Sequence, residues 1–350
     1  MEPGLAPALD LDLARQRLSR LLVEDLPDDP AFDRRVDRLQ AAFRSYADSL
    51  PLPLWAPGLV VDHELRSSSE ALFPVAWPRA LFDRLLRRSC RFEPLLAHTS
   101  LATAPSWPDL LGRLRPQASA ADPAPLLREL LGSPDKRRDF LFALFLPQHY
   151  GAGFERYPLQ SRWLAGWLKE NRGLFGGGVR ALDSACGSGE GTYRLAELLV
   201  EAGLTGERCE LHGSTIEQIE LFAATHLYFP HDPLRQLACR QRVAPLLERQ
   251  DAPRLKFYLD DVAGREKRGG YQLLLCNGLL GGPMLNAPKE LDAAIRGLAD
   301  RLVPGGMLLA ADRFHAGWRL RVPQAALIES FERHGLAPLE VPEGIAGIKR

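Results

Sequence analysis

Nothing in this chain is in excess in the way that gives away a partner. Its 44 basic and 44 acidic side chains cancel to a formal net charge of zero. The balance is also local, with 19 basic and 20 acidic residues through Tyr150 and 25 against 24 beyond it. Without a face of one sign there is no electrostatic footprint for nucleic acid or for an anionic membrane. Lysine is scarce at six residues, yet arginine, alanine, leucine and proline are all abundant, which reads as genome composition rather than as a binding surface. The cysteines (Cys90, Cys186, Cys209, Cys239, Cys276) are odd in number and scattered. No CxxC pair and no His/Cys cluster with zinc spacing occurs, so neither a disulfide framework nor a metal site is expected, and reduced thiols point to the cytoplasm. The start, "MEPGLAPALDLDLARQ", lacks the basic head and apolar centre of a secretion signal. No run approaches the ~20 apolar residues of a membrane span. "FLFALFL" at 140–146 reads as a core helix.

What is present is a globular composition, 46% hydrophobic and 25% charged over 350 residues, with room for two domains. Residues 1–150 read as an all-α N-terminal region punctuated by proline. The stretches 13–22, 30–50, 78–97 and 123–133 space their apolar residues three and four apart. Asp28 or Asp29 ahead of Pro30 suits a helix N-cap with proline in the first turn. From about Gly178 the rhythm becomes strand alternating with helix, which predicts a mostly parallel sheet covered on both faces. Strands are expected at 179–185, 209–215, 255–261, 271–276 and 306–312. The tail gives a helix closed by Gly335, then two strand-like pieces around Leu339 and Ile345. With no crossover helix between them, these predict an antiparallel edge hairpin.

In "RALDSACGSGEGTYRLAELL" (180–199), Gly187, Gly189 and Gly191 fall where a strand hands over to a helix. Glycine is favoured where the backbone needs φ > 0 or close approach. Strand, glycine turn and helix N-terminus together make a pocket for a nucleotide-like ligand. A dinucleotide fingerprint places its third glycine three positions after the second. Here that position is Thr192, and Gly191 comes at two.

"LDSACGSGEGTYRLAELL" resembles the first motif of class I S-adenosylmethionine-dependent methyltransferases. "LADRLVPGGMLLAAD", about 120 residues later, resembles their later helix, Pro-Gly-Gly turn and fifth strand. The resemblance covers roughly residues 150–350. It implies a Rossmann-like α/β sheet of seven strands with helices on both faces, and S-adenosyl-L-methionine as cofactor. It also implies that Asp183, Cys186, Gly187, Ser188, Gly189 and Glu190 of the first loop lie against that cofactor. In the family an acid at the end of strand two binds the ribose hydroxyls, and another after strand three meets the adenine. Asp261, with Asp260 beside it, matches the latter. At strand two Thr215 stands where the acid is usual, and Glu217 two residues on is the substitute. Cys276 and Asn277 follow strand four.

Within the superfamily the chain is most similar to the chemotaxis receptor methyltransferases, which esterify glutamate side chains. "SACGSGEGTYRLAELL", "STIEQIELFAA" and "YQLLLCNGLL" carry the likeness, and "GFERYPLQSRWL" (153–164) places Arg156 on that family's active-site arginine. The same arginine also suits a plain surface position. Two departures stand out. After Cys276 the chain reads "NGLLGGP", so Asn277 and Gly278 replace an Arg-Asn pair and Gly282 stands in the place of a tyrosine near the methyl acceptor. The small antiparallel subdomain before strand three, which docks receptor tails, is replaced by a shorter, helical 226–250.

Methyl transfer from a sulfonium needs alignment and exclusion of water more than it needs acid–base help. A carboxylate acceptor is already nucleophilic, and an arginine fork would hold it. A hydroxyl acceptor would need a base, and His315 is the nominee. His212, inside a strand, reads as structural. The expectation is a cytoplasmic methyltransferase domain at 151–350 behind a helical region at 1–150 that caps the site or recognises substrate. The acceptor is a protein carboxylate or a small molecule, with no nucleic acid and no membrane. A small-molecule O- or N-methyltransferase and a non-catalytic cofactor-binding or scaffold module stay open as alternatives.

Overall fold

The computed structural model describes residues 4–54, 56, 59–114, 117–146, 153–176, 178–264, 268–311 and 316–350. The chain forms two compact units, Arg15–Pro147 and Met1–Ala14 together with Gln148–Arg350. Residues 4–14 thus belong with the sheet and not with the helices that follow them.

After α1 (Leu11–Leu18), which straddles the division, the helical unit holds α2 (Pro30–Ser49), α3 (His63–Leu72), α4 (Ala76–Ser89), α5 (Ser100–Thr103), α6 (Trp107–Leu114), α7 (Pro123–Gly132) and α8 (Pro134–Phe145). Helix α2 shows why these segments form. Asp29 accepts a hydrogen bond from the Phe32 amide at 3.0 Å, proline opens the first turn, and Phe32, Val36, Leu39, Phe43 and Tyr46 give one buried stripe. That stripe meets an aromatic core in which Tyr46 stacks on Phe73 at 5.6 Å and Phe73 meets Trp107 edge-on at 6.1 Å. Arg137, only 3% exposed, donates to the Leu130 carbonyl at 2.7 Å and to the carbonyls of Val23 and Glu24. A buried cation is tolerated there because backbone oxygens solvate it.

The other unit contains β1 (Arg180–Ser184), β2 (Glu210–Thr215), β3 (Arg254–Leu259), β4 (Tyr271–Leu275), β5 (Leu302–Ala311), β6 (Leu336–Val341) and β7 (Gly344–Lys349). They make one seven-stranded sheet in the order β3-β2-β1-β4-β5-β7-β6, the Rossmann-like methyltransferase fold that the resemblance implied. The first five strands are parallel; β7 runs antiparallel to β5 and to β6, as the edge hairpin requires. The strands start and stop close to the expected residues, with one difference. β5 begins at Leu302, ahead of the Pro-Gly-Gly sequence, because Leu302 already pairs with Tyr271 before the ladder resumes at Leu273 and Met307. Gly305, at φ +78°, absorbs the extra residues as a bulge inside the strand rather than a turn before it.

On one face lie α9 (Pro158–Glu170), α10 (Glu190–Glu201), α11 (Gln218–His226) and α12 (Pro233–Leu247); on the other lie α13 (Pro288–Arg301) and α15 (Gln324–Arg333), after the short α14 (Ala316–Arg321). The second face buries Leu182, Leu274 and Leu308 of the sheet against Leu291, Ile295 and Leu298 of α13 and Phe331 of α15. The outer edge of β3 is covered by the chain's leading segment. The Leu5 amide donates to the Phe257 carbonyl at 2.7 Å, and the Phe257 amide donates back at 2.8 Å. Further along, the Ala8 carbonyl meets His226 Nδ1 at 2.8 Å. Closing an edge in this way removes a template for stray pairing. Among the described residues no helix is long and apolar enough to cross a membrane.

Candidate active site

In an open parallel sheet, ligands bind outside the carboxyl ends of the strands where strand order reverses. Here that point lies between β1 and β4, since β1 is flanked by β2 on one side and β4 on the other. The loops leaving β1, β2, β3 and β4 therefore define the site.

The three glycines after β1 serve three separate ends. Ala185, Gly187 and Gly189 all have positive φ, at 60°, 54° and 90°. Among the described residues, a Cβ added to Gly187 would meet nothing within 4 Å, so the backbone there is open on its side-chain face. At Gly189 it would come within 2.9 Å of the Ala224 Cβ, so that glycine lets α11 close on the turn. At Gly191 it would lie 3.3 Å from Asp183 Oδ2. Asp183 is buried and accepts the Thr192 hydroxyl at 2.7 Å; burial pushes its carboxyl up to about 6 against that hydrogen bond. Its visible work is to brace the first turn of α10 against β1.

Ser188 and Glu190 are engaged with the protein itself. Ser188 donates to Glu190 at 2.5 Å, and Arg235 of α12 donates to Glu190 through Nε at 2.9 Å and to Ser188 at 2.7 Å. Arg235 also lies 4.2 Å from the Phe229 ring centroid. Burial, with Asp183 and Glu220 adding to it, holds the Cys186 thiol well above its ordinary range. The Cys276 thiol is pushed up to about 12, by burial first. Neither thiol is a nucleophile in this state. Tyr193 donates to the Ala224 carbonyl at 2.8 Å and packs against Phe257.

At the end of β2, Thr215 is buried, takes the Glu217 amide at 3.2 Å, and donates its hydroxyl proton to Glu220. Glu217, only 5% exposed, caps α11 by accepting the Ile219 amide at 3.2 Å. Glu220 was not expected from the sequence. Burial raises its carboxyl to about 7, which the Thr215 hydroxyl opposes and Glu217 reinforces. Ile216, between the two, is 48% exposed, a large apolar side chain standing at the rim. After β3 the neighbouring acids part company. Asp260 is taken by Arg301, whose side chain is fully buried at the end of α13. Asp261 is exposed and caps the Ala263 amide at 2.9 Å.

Beyond β4, Asn277 exchanges hydrogen bonds with Gln160 of α9 at 2.8 and 3.3 Å and accepts the Ala311 amide at 2.8 Å. The amide thus ties α9 to the ends of β4 and β5. Next to it, Gly278 has φ +75°, and a Cβ there would come within 2.8 Å of the Arg156 guanidinium. The missing side chain at 278 is what admits Arg156, and its Nε is buried without a hydrogen-bond partner. Arg156 also lies 5.2 Å from the Tyr157 ring centroid. The segment that bears it is fastened on either side. Glu155 pairs with Arg242 at 3.0 Å, and the Glu343 carboxylate accepts the Leu159 amide at 2.9 Å from the β6–β7 turn. His315 lies outside the described residues. His212 is a buried structural histidine, with Nδ1 2.8 Å from the Tyr271 hydroxyl and its pKa pushed down to about 4 by burial and then by Arg180. Among the described residues no group of three or more His, Cys, Asp or Glu side chains is arranged to hold a metal.

The structure therefore brings Gly187, Cys186, Thr215, Glu220, Asp261, Asn277 and Arg156 to the carboxyl ends of four neighbouring strands. It withdraws Asp260, Glu190 and Glu217 into ion pairs and a helix cap. Gln160, Ile216 and Glu220 went unmarked in the sequence.

No family model matches the chain, and neither does any curated protein. Solved structures do. The chain is similar to the magnesium protoporphyrin IX methyltransferase of Synechocystis PCC 6803 with bound SAM, at 17% identity over 54% of this chain and 78% of that one, TM-score 0.37. It is similar to the sugar N-methyltransferase KedS8 of Streptoalloteichus, at 14% identity over 57% of this chain and 89% of that one, TM-score 0.38. The N-methyltransferase NodS of Bradyrhizobium japonicum in complex with S-adenosyl-L-homocysteine gives 16% identity over 61% and 93%, TM-score 0.36.

Proposed function

We propose that this chain is an S-adenosylmethionine-dependent methyltransferase with a carboxylate acceptor. The observation that supports it most is the bare backbone at Gly187, open on its side-chain face where the strand order reverses. A thioether chain fits against main chain there, an exposed isoleucine at the β2 end offers an apolar surface for a base, and the exposed Asp261 offers an acceptor for an exocyclic amine. The cofactor supplies the activated methyl group. The protein's own share is to hold donor and acceptor in line and to keep water out.

Arg156 bears on the acceptor. A guanidinium held against Gly278, with its Nε buried and without a hydrogen-bond partner among the described residues, is a half-buried cation suited to an anion. A carboxylate completes it with two parallel hydrogen bonds and needs no general base to attack. The likeness to receptor methyltransferases points the same way. The helical α11 and α12 between β2 and β3, in place of a docking subdomain, favour a small free carboxylate over a receptor tail.

Gly187→Val tests the reading. It leaves the fold intact apart from about 1–2 kcal/mol of left-handed strain and fills the open face. Titration calorimetry with S-adenosylhomocysteine is expected to give micromolar-range heat for the parent protein and none for the variant; equal affinity overturns the reading. Arg156→Ala is expected to lower alkali-labile methyl transfer at least tenfold while leaving S-adenosylhomocysteine affinity within about threefold. Cofactor binding without transfer to any acceptor would favour a non-catalytic module.

A further inference from the structure

Resting on the role given to Arg156, we propose that Glu343, in the turn between β6 and β7, is a positioning residue. It clasps the start of α9 and so sets the acceptor-binding guanidinium over Gly278. Helix α9 opens without help from its own sequence. Tyr157 at the N-cap gives no side-chain hydrogen bond, and Pro158 has no amide to offer. The Ser161 amide already reaches the Tyr157 carbonyl, so the donors left over are the amides of Leu159 and Gln160. Glu343 takes both through Oε2, at 2.9 and 3.3 Å, from a turn 184 residues beyond Leu159.

Two features mark the clasp as more than a surface contact. Glu343 stands at φ +61°, one of three non-glycine residues with positive φ among the described residues. It is the second residue of a two-residue turn that opens with Pro342, where glycine or asparagine is the usual occupant. Glutamate is strained in that left-handed backbone and glycine is not; what glycine lacks is the carboxylate. The second feature is the neighbourhood. Gly344 pairs with Ala311 at the end of β5, and the Ala311 amide donates to Asn277 at 2.8 Å. Asn277 exchanges hydrogen bonds with Gln160, and beside it Gly278 is where the Arg156 guanidinium lies. The neighbouring ends of β4, β5 and β7 thus grip one helical turn, and Arg156 sits two residues ahead of it. Backbone fixed at Leu159 and Gln160 fixes the direction in which Arg156 leaves the chain. Loss of Glu343 lets that turn fray, and the guanidinium moves with it.

The test compares Glu343→Gly and Glu343→Gln in the full chain. Glycine relaxes the turn and removes the clasp, whereas glutamine keeps an oxygen acceptor at the same reach. Phenylglyoxal, which reacts with accessible guanidinium groups, is followed at Arg156 by tandem mass spectrometry, and amide hydrogen exchange is followed over the start of α9. In Glu343→Gly, Arg156 is expected to react about tenfold faster than in the parent, with exchange at Leu159 and Gln160 quickened to match. The thermal midpoint is expected to stay within about 4 °C of the parent, and S-adenosylhomocysteine affinity within about threefold. Glu343→Gln is expected to hold Arg156 reactivity within about threefold of the parent. Parent-like reactivity of Arg156 in Glu343→Gly overturns the proposal. So does a midpoint that falls well beyond that range, which would make Glu343 a stabilising element only. The acceptor reading fails separately: if Arg156→Ala leaves alkali-labile methyl transfer unchanged while Glu343→Gly still frees Arg156, the clasp stands and the carboxylate acceptor falls.

Discussion

At the scale of single residues, the site region keeps several titratable groups away from their ordinary range, and the sense differs from group to group. His212 is held neutral, its pKa brought from 6.5 down to about 4 by burial and then by Arg180. An unfolded chain takes up a proton there below 6.5 that the folded chain refuses. The stability that this provides is therefore whole above pH 6.5 and drains away as pH falls toward 4. Glu220 runs the other way. Its folded value of about 7 lies above the ordinary 4.5, so its contribution is greatest below pH 4.5 and is lost as pH rises through 7. His212→Asn keeps a partner for the Tyr271 hydroxyl and removes the titration. Urea midpoints measured at pH 7 and pH 5 are expected to differ less in that variant than in the parent, and an unchanged difference would mean that His212 is already charged in the fold. Of these two groups the sequence offered only the histidine, and rightly as structural. In "TIEQIE" a glutamate in the first turn of a helix has the same look whether it compensates the dipole or turns back to a strand end.

At the scale of elements, α13 packs closely against the β3 loop. A Cβ on Gly297 would stand 2.1 Å from the Val262 carbonyl oxygen, a distance no methyl group tolerates. Four residues on, Arg301 buries its side chain against Asp260. Glycine and arginine on one helix thus fix the loop that presents Asp261. Gly297→Ala is expected to cost about 1–3 kcal/mol in denaturant unfolding and to weaken S-adenosylhomocysteine several-fold, because the loop must move with Val262; loss of stability at unchanged affinity would separate helix from site. The strands, their order of hydrophobic alternation and the glycine turn were readable because each depends on neighbours in sequence. The reason for Gly278 was not, because it lies with Arg156 on a remote segment. The bulge at Gly305 was hidden for a related cause, since whether Pro-Gly-Gly turns before a strand or within it depends on where Tyr271 pairs.

At the scale of the whole molecule, each unit has its own interior: the aromatic group around Phe73 in the one, the two faces of the sheet in the other. A fragment of residues 15–147 is therefore expected to be helical by circular dichroism and to melt cooperatively alone, whereas a broad, featureless melt would show that it depends on the remainder. The expectation from sequence put all of residues 1–150 in one helical region. The segment "GLAPALD" has no alternation and no strand-forming run, so nothing local announces that it lies along β3.

That edge has a bearing on how the protein is made. Leu5 leaves the ribosome ahead of the entire helical unit, and Phe257 only after that unit, β1 and β2 have been made. The leading residues must wait, unpaired, while everything between them and their mate is threaded out. Whatever is fused upstream of Gly4 in an expression vector will be drawn to the rim of β3 when that wait ends, and a cleavable extension there should slow the last step of maturation more than the same extension placed after Arg350.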